Sequence, residues 1–208
     1  MPLLLNVPFC EKDAVKSLGA KWNSKIKRWY VTDKNQYYKF KKWFVYPHSN
    51  IVICDHFYII VAKQLCFKCK KETRVVSLAT DSYLTFNNGN VEVYNDDINF
   101  IKLNSVNAEQ LLKHLNNNYD FYKGYSNTTK THYWGNHCDH CGVLQGNWFL
   151  YSEPDSPFFM NSEEKATALD VFKIKLHYDL ELSGNIVWCS GNYMIKKFAK
   201  IKALNLEI

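Results

Sequence analysis

The steadiest alternation of apolar and polar positions runs over Phe172, Ile174, Leu176, Tyr178, Leu180 and Leu182. Its period of two predicts one strand with a single buried face, and Ser183-Gly184-Asn185 is expected to turn it into a second strand over 186–189. Residues 51–63 are apolar almost throughout, which fits either a buried strand pair or one long strand. Residues 74–78, 83–86 and 91–94 read as further strands. The last two flank Asn88-Gly89, a hairpin signal because both residues tolerate positive φ. Trp148-Phe149-Leu150-Tyr151 also reads as a strand.

Helical spacing is sparser. Asn107 and Gln110 form a capping-box-like pair around a helix with Ala108, Leu111, Leu112 and Leu115 on one face, ending at Asn116-Asn117-Asn118. A short helix is expected after Asn161 or Ser162, and a final one places Met194, Phe198 and Ile201 together. Two prolines make 152–157 a loop.

The front of the chain forms a unit of its own. Leu3-Leu4-Leu5-Asn6-Val7, stopped by Pro8, predicts a strand, and 11–18 predicts a helix with Ala14, Val15 and Leu18 on one face and Gly19 as its C-cap. Residues 25–31 predict a second strand. Asp33 can cap a helix carrying Tyr37, Phe40 and Phe44. The fold class expected is therefore α+β. A small βαβα unit over 1–46 leads through a linker at 46–50 into a mainly antiparallel β module over 51–208 with a few short helices.

Charge sharpens this division. Residues 1–80 carry 15 Lys/Arg against 5 Asp/Glu, whereas 81–208 carry 11 against 15. A basic front beside a mildly acidic rear points to a polyanion-facing end, or to lysines that only solvate the surface. The candidate phosphate contacts are Lys12, Lys16, Lys21, Lys25, Lys27, Arg28, Lys39 and Lys42. Trp22, Trp29 and Trp43 are read as the core of the small unit, which needs large apolar residues to hold together; stacking on unpaired bases is the alternative.

The chain is 47% hydrophobic and can bury a real core, and no apolar run reaches the roughly 18 residues of a membrane span. Residues 3–5 are too short for a secretory leader, which leaves a reducing cytoplasm as the expected location. Seven cysteines, two x-x spaced pairs and three singles, fit metal binding better than a disulfide framework. The pairs are Cys66-Phe67-Lys68-Cys69 and Cys138-Asp139-His140-Cys141, the second followed by Gly142. Two such knuckles build a closed tetrahedral site for one structural Zn²⁺ per chain, tying the middle of the chain to its later third. Lys70 stands where glycine would suit the first turn, and His137 or His140 could replace a cysteine. Cys54 and His56 sit i, i+2 on a strand, about 7 Å apart and too far for a nucleophile and its base.

Leu5-Asn6-Val7-Pro8-Phe9, Glu11-Lys12-Asp13, Lys16, Leu18-Gly19-Ala20-Lys21-Trp22-Asn23 and Lys27-Arg28-Trp29-Tyr30-Val31 resemble a short bacterial domain of unknown function. That domain is found appended to TraC-type plasmid primases and in mobile-element proteins; it usually carries Asp where Asn23 stands here. The cysteine segments resemble uncharacterised bacterial proteins that join this domain to a cysteine-paired module. The resemblance implies association with DNA in a plasmid or phage setting and supplies no activity.

Three functions follow as expectations. The first is a non-enzymatic zinc protein that binds nucleic acid, with DNA preferred. The second is a protein-interaction module, such as an inhibitor of a defence nuclease or a toxin partner, using the acidic rear and the tyrosine-rich stretch 119–134. The third is a metal-dependent nuclease using His140, Glu153 or Asp155, although the Asn-His helix of zinc-stapled His-Asn-His nucleases is missing.

Overall fold

Strand β1 (Leu3–Leu5), a 3-10 turn (Phe9–Glu11) and α1 (Lys12–Ser17) open the chain in a computed structural model that describes residues 1–87 and 90–208. They are followed by β2 (Lys21–Asn23), β3 (Arg28–Val31) and a long 3-10 helix (Lys34–Trp43). The three strands form an antiparallel sheet in the order β1-β3-β2. The expected βαβα unit thus gains a strand, and 25–27 turn rather than extend. The cause is local: Asn23 Oδ1 accepts the N–H groups of Lys25 at 3.0 Å and Ile26 at 3.4 Å, and Lys27 takes φ +52°. Trp22 is thereby folded back opposite Trp29. The anticipated second helix winds as a 3-10 helix, with Asp33 accepting from the Asn35 N–H as its cap.

The remaining strands are β4 (Ile51–Ile53), β5 (His56–Leu65), β6 (Glu72–Asn87) and β7 (Asn90–Val106), then β8 (Phe121–Ser126) and β9 (Thr131–Asn136). Three more follow: β10 (Asp170–Lys175), β11 (Leu180–Val187) and β12 (Lys200–Ala203). Helix α2 (Glu109–Tyr119) precedes β8, α3 (Asn147–Tyr151) and α4 (Glu163–Thr167) precede β10, and α5 (Tyr193–Phe198) precedes β12. The architecture is α+β, mostly sheet with a few short helices. Among the described residues, no helix is long and apolar enough to cross a membrane.

The large sheet closes on itself. β4 pairs with β6, β6 with β7, β7 with β11, and β11 back with β4, every pairing antiparallel. Register shifts at Thr80/Ser82 and Ser183/Gly184, and Asp55 at φ +63° between β4 and β5, mark where the long strands bend to close the ring. β5 extends the ring beyond this bend, β10 pairs antiparallel to it, and β12 lies parallel to β10.

Both faces of β5 are covered, which accounts for its unbroken apolar run. Phe57, Ile59 and Val61 join Ile51, Ile101 and Leu182 in a core closed by Leu111 and Leu115 of α2. Tyr58, Ile60 and Ala62 face a second core built with Phe158, Met160 and Ile195.

Several sequence expectations change. The alternating run 172–182 is two strands, broken at 176–179. The Asn107 cap is not made: Ala108 holds the N-cap position without a side-chain bond, and α2 continues through the asparagines to Asp120 at φ +47°. Trp148-Phe149-Leu150-Tyr151 is helical, burying Leu150 and Tyr151 and exposing its first two residues. Four apolar residues in a row do not distinguish the two periods. Ile201 lies in β12 rather than on the last helix. Asn88-Gly89 lie outside the described residues, but their neighbours pair as Asn87↔Asn90.

The front unit packs on the closed sheet. Its core of Leu3, Leu5, Val15, Tyr37 and Phe40 continues into Val52, Cys54 and Leu84, and Phe44 meets Phe86 edge-on at 5.3 Å. Tyr37 Oη donates to the buried Asp179 Oδ2 at 2.7 Å. Glu181 accepts the Val45 N–H at 3.1 Å and the Tyr46 N–H at 2.6 Å.

Burial pushes the Glu181 carboxyl up to about 7, against the pull of those two N–H groups and of Lys41. A carboxyl raised above its unfolded value favours the fold when protonated. Its contribution is full below about pH 4.5 and is lost as pH rises through 7, a span worth about 3 kcal/mol. Burial lowers His114 and His137, which titrate in the opposite sense, so the informative quantity is a difference between variants. Urea unfolding at pH 5.5 and pH 8 is expected to show Glu181→Gln gaining relative to wild type as pH rises; parallel profiles would contradict this.

Candidate metal centre

The first knuckle is the turn between β5 and β6, and the second follows β9. Each is closed in the same way. Cys66 N donates to Lys71 O at 2.9 Å and Lys70 N to Cys66 O at 2.9 Å; Cys138 N donates to Val143 O at 3.0 Å and Gly142 N to Cys138 O at 2.9 Å. The residue after each second cysteine is left-handed, Lys70 at φ +60° and Gly142 at φ +64°. A lysine there carries steric strain that glycine does not. Lys70→Gly is expected to stabilise the protein by about 0.5–1 kcal/mol in urea unfolding, and Gly142→Ala to cost about 1 kcal/mol. Unchanged midpoints in both would count against strained knuckles.

The four thiols converge. One sulfur from each of Cys66, Cys69, Cys138 and Cys141 lies within 4.8 Å of every other. Cys66 Sγ and Cys141 Sγ are 3.7 Å apart, as are Cys69 Sγ and Cys138 Sγ. These are far longer than the about 2.05 Å of a disulfide. They match the edge of about 3.8 Å of a sulfur tetrahedron around an ion bound at about 2.3 Å. The cluster can therefore hold one metal ion and is compatible with zinc.

Its electrostatics favour a cation. Although burial raises the Cys66 thiol, the N–H groups of Cys69 and Lys68 outweigh it and bring the group down to about 6. Cys138 is likewise lowered, with burial opposed by the N–H groups of His140 and Cys141. Cys141 has a favourable Val143 N–H, yet desolvation and the neighbouring sulfurs push it up to about 11. Four thiolates this close cannot all ionise without a positive charge among them.

Around the sulfurs a polar frame fixes the second knuckle to β5 and β6. His140 N donates to Cys138 Sγ at 3.4 Å and Gln145 Nε2 to Cys66 Sγ at 3.5 Å. Asp139 Oδ2 accepts Arg74 N at 3.1 Å and Arg74 Nε at 3.2 Å. The buried Asn136 pairs with the Val76 backbone, its Oδ1 accepting Val76 N at 2.6 Å and its Nδ2 donating to Val76 O at 3.0 Å. Nothing in the cysteine spacing announced this asparagine. The two histidines are engaged elsewhere: His137 stacks on Tyr122 at 3.6 Å, and His140 Nε2 bonds Glu72 O at 2.9 Å.

The other chemical candidates do not assemble. Among the described residues, the four cysteines are the only group of three or more Cys, His, Asp or Glu that could hold a metal. Glu153 accepts the Trp148 indole N–H, and His140, Glu153 and Asp155 form no such group. Cys54 is buried, its thiol pushed up by desolvation and the nearby Asp179, while His56 bonds Asp81 at 2.7 Å.

The basic candidates lie on the front unit. Lys12 and Lys16 are on α1, Lys21 on β2, Lys25 and Lys27 in the turn, Arg28 at the start of β3, and Lys39 and Lys42 on the 3-10 helix. Lys12 is half-buried over the Phe9 ring, and Lys42 pairs with Glu11 at 3.0 Å. The other six are exposed, and among the described residues none has an ion-pair partner. Strand alternation separates the two on strands from the tryptophans: Lys21 and Arg28 share one face of the β2–β3 hairpin, Trp22 and Trp29 the other. Trp22, expected in the core, is half exposed on the edge strand, edge-on to Trp29 at 5.6 Å.

Residues 3–44 match the family model described as a domain of unknown function (DUF5710). No curated protein and no solved structure matches the chain.

Proposed function

We propose that the protein is a non-enzymatic nucleic-acid-binding protein held together by one structural zinc ion, and that its basic front unit contacts phosphates. DNA in a plasmid- or phage-related setting is the context that the front-unit resemblance favours, and a reducing cytoplasm suits the free thiols. The observation carrying the reading is the set of exposed, unpaired cations Lys16, Lys21, Lys25, Lys27, Arg28 and Lys39 on one small unit. Cations tied to carboxylates are already neutralised; these remain free to displace counterions from a polyanion. A closed tetrathiolate site keeps no open position for a reacting water, which supports a structural rather than catalytic ion.

Binding of labelled oligonucleotides, followed by fluorescence anisotropy, tests this. With four phosphate contacts on a single strand, raising salt from 50 to 200 mM is expected to weaken binding about fifty-fold. Reversing Lys21, Lys25 and Lys27 to Glu is expected to flatten that dependence. No binding to single- or double-stranded oligonucleotides at low salt would end the proposal.

A second reading, a protein-interaction module such as an inhibitor of a defence nuclease or toxin, draws on the exposed apolar side chains of Leu65, Phe67, Trp148 and Phe149.

A further inference from the structure

We infer that unpaired bases are held in the aromatic groove beside the metal centre, some distance along the chain from the cations that take the phosphates. The inference rests on the nucleic-acid reading above and assigns its stacking site. The groove encloses about 570 Å³, within the range of small-molecule sites. It is walled by Phe67 of the first knuckle, Tyr125 and Tyr133 of the β8–β9 hairpin, and Leu144 and Phe149 after the second knuckle. Phe67, Tyr125 and Phe149 are 55%, 48% and 56% exposed, so each offers a ring to solvent.

Three features favour a nucleobase over other occupants. Flat aromatic faces stack on any base, whereas duplex DNA keeps its bases stacked inward and unavailable. Ser126, Asn127 and Thr128 add hydrogen-bonding groups at the same wall. The first knuckle and the β8–β9 hairpin carry Lys68, Lys70, Lys71, Lys123 and Lys130, with Glu72, Asp120 and Asp139 as the adjoining acidic residues. Glu72 is paired with Lys63 and Asp139 with Arg74 on β6, so the five lysines still outweigh Asp120 together with the double negative charge of four thiolates around a divalent ion. On the β2–β3 strands of the front unit the same combination is split, Lys21 and Arg28 lying on the face opposite Trp22 and Trp29.

The test uses the full chain with its metal, a fluorescein-labelled oligothymidylate and a labelled duplex of equal length. Wild type is expected to prefer the single strand. Phe67→Ala and Phe149→Ala are each expected to weaken that binding about five- to hundred-fold while leaving its salt dependence unchanged. Lys21→Glu is expected to reduce the salt dependence instead. Tyr125→Ala serves as an independent variant should either Phe substitution lose metal or secondary structure. Wild-type affinity in the Phe67, Tyr125 and Phe149 variants, with loss confined to the lysine variant, would overturn the groove and leave the nucleic-acid reading standing. No oligonucleotide binding by wild type would remove both. Binding of polyglutamate in place of oligothymidylate, abolished by the same aromatic substitutions, would reassign the groove to an acidic protein segment.

Discussion

Cys138→Ser is expected to unfold the metal end of the protein and to lose the ion with it. The buried Cys138 sulfur stands 3.7 Å from Cys69 and accepts the His140 N–H. A serine there leaves three thiolates and no closed shell. Structural zinc contributes on the order of 10 kcal/mol to folding, comparable to the whole net stability of a typical domain. The loss should spread, because the second knuckle positions the β8–β9 hairpin, whose Phe121 and Trp134 pack into the core under α2. Excess chelator should reproduce the effect in wild type. Cys10→Ser supplies the control: Cys10 is exposed and outside the cluster, so its change should stay within about 0.5 kcal/mol. Circular dichroism and urea unfolding read both outcomes, and a Cys138→Ser protein as stable as wild type would contradict them.

Asn136→Ala is expected to cost about 2–5 kcal/mol without touching a metal ligand. β7 pairs with β6 only from Leu78 onward, so the outward-facing N–H and C=O of Val76 have no strand beside them. The Asn136 carboxamide takes that place with one bond in each direction. Truncation leaves two buried backbone groups unpaired. Asn136→Asp would keep the bond from Val76 N but set a carboxylate against Val76 O, so it should also destabilise. Urea unfolding with metal content measured in parallel separates this from ligand loss. A midpoint within error of wild type for both variants would show that Val76 is satisfied in another way.

The parts of the molecule legible from its residues are those set by local chemistry. Two Cys-x-x-Cys pairs must each turn tightly to aim both sulfurs one way, and that requirement is visible in the spacing and in Gly142. The buried β5 was legible because a strand covered on both faces carries no polar alternation. Closure of the sheet was not, because it depends on pairings between distant segments such as Leu182↔Val106, and Ser183-Gly184-Asn185, read as a turn between two strands, is a bulge within the single strand β11. The β2–β3 hairpin was hidden by the lysines of its turn, which resemble strand residues in an alternating pattern. Trp22 shows the same limit: a large apolar residue in a small unit is expected inside, yet on an edge strand one face has nothing to cover it. Asn136 and the groove at Phe67 exist only once the two knuckles meet.

Metal content with X-ray absorption at the zinc edge is the most direct measurement on the whole construction. The expected result is one zinc per chain, coordinated by four sulfurs at about 2.3 Å. Protein purified without stoichiometric metal, or zinc bound by nitrogen or oxygen in place of any of the four cysteine sulfurs, would contradict it.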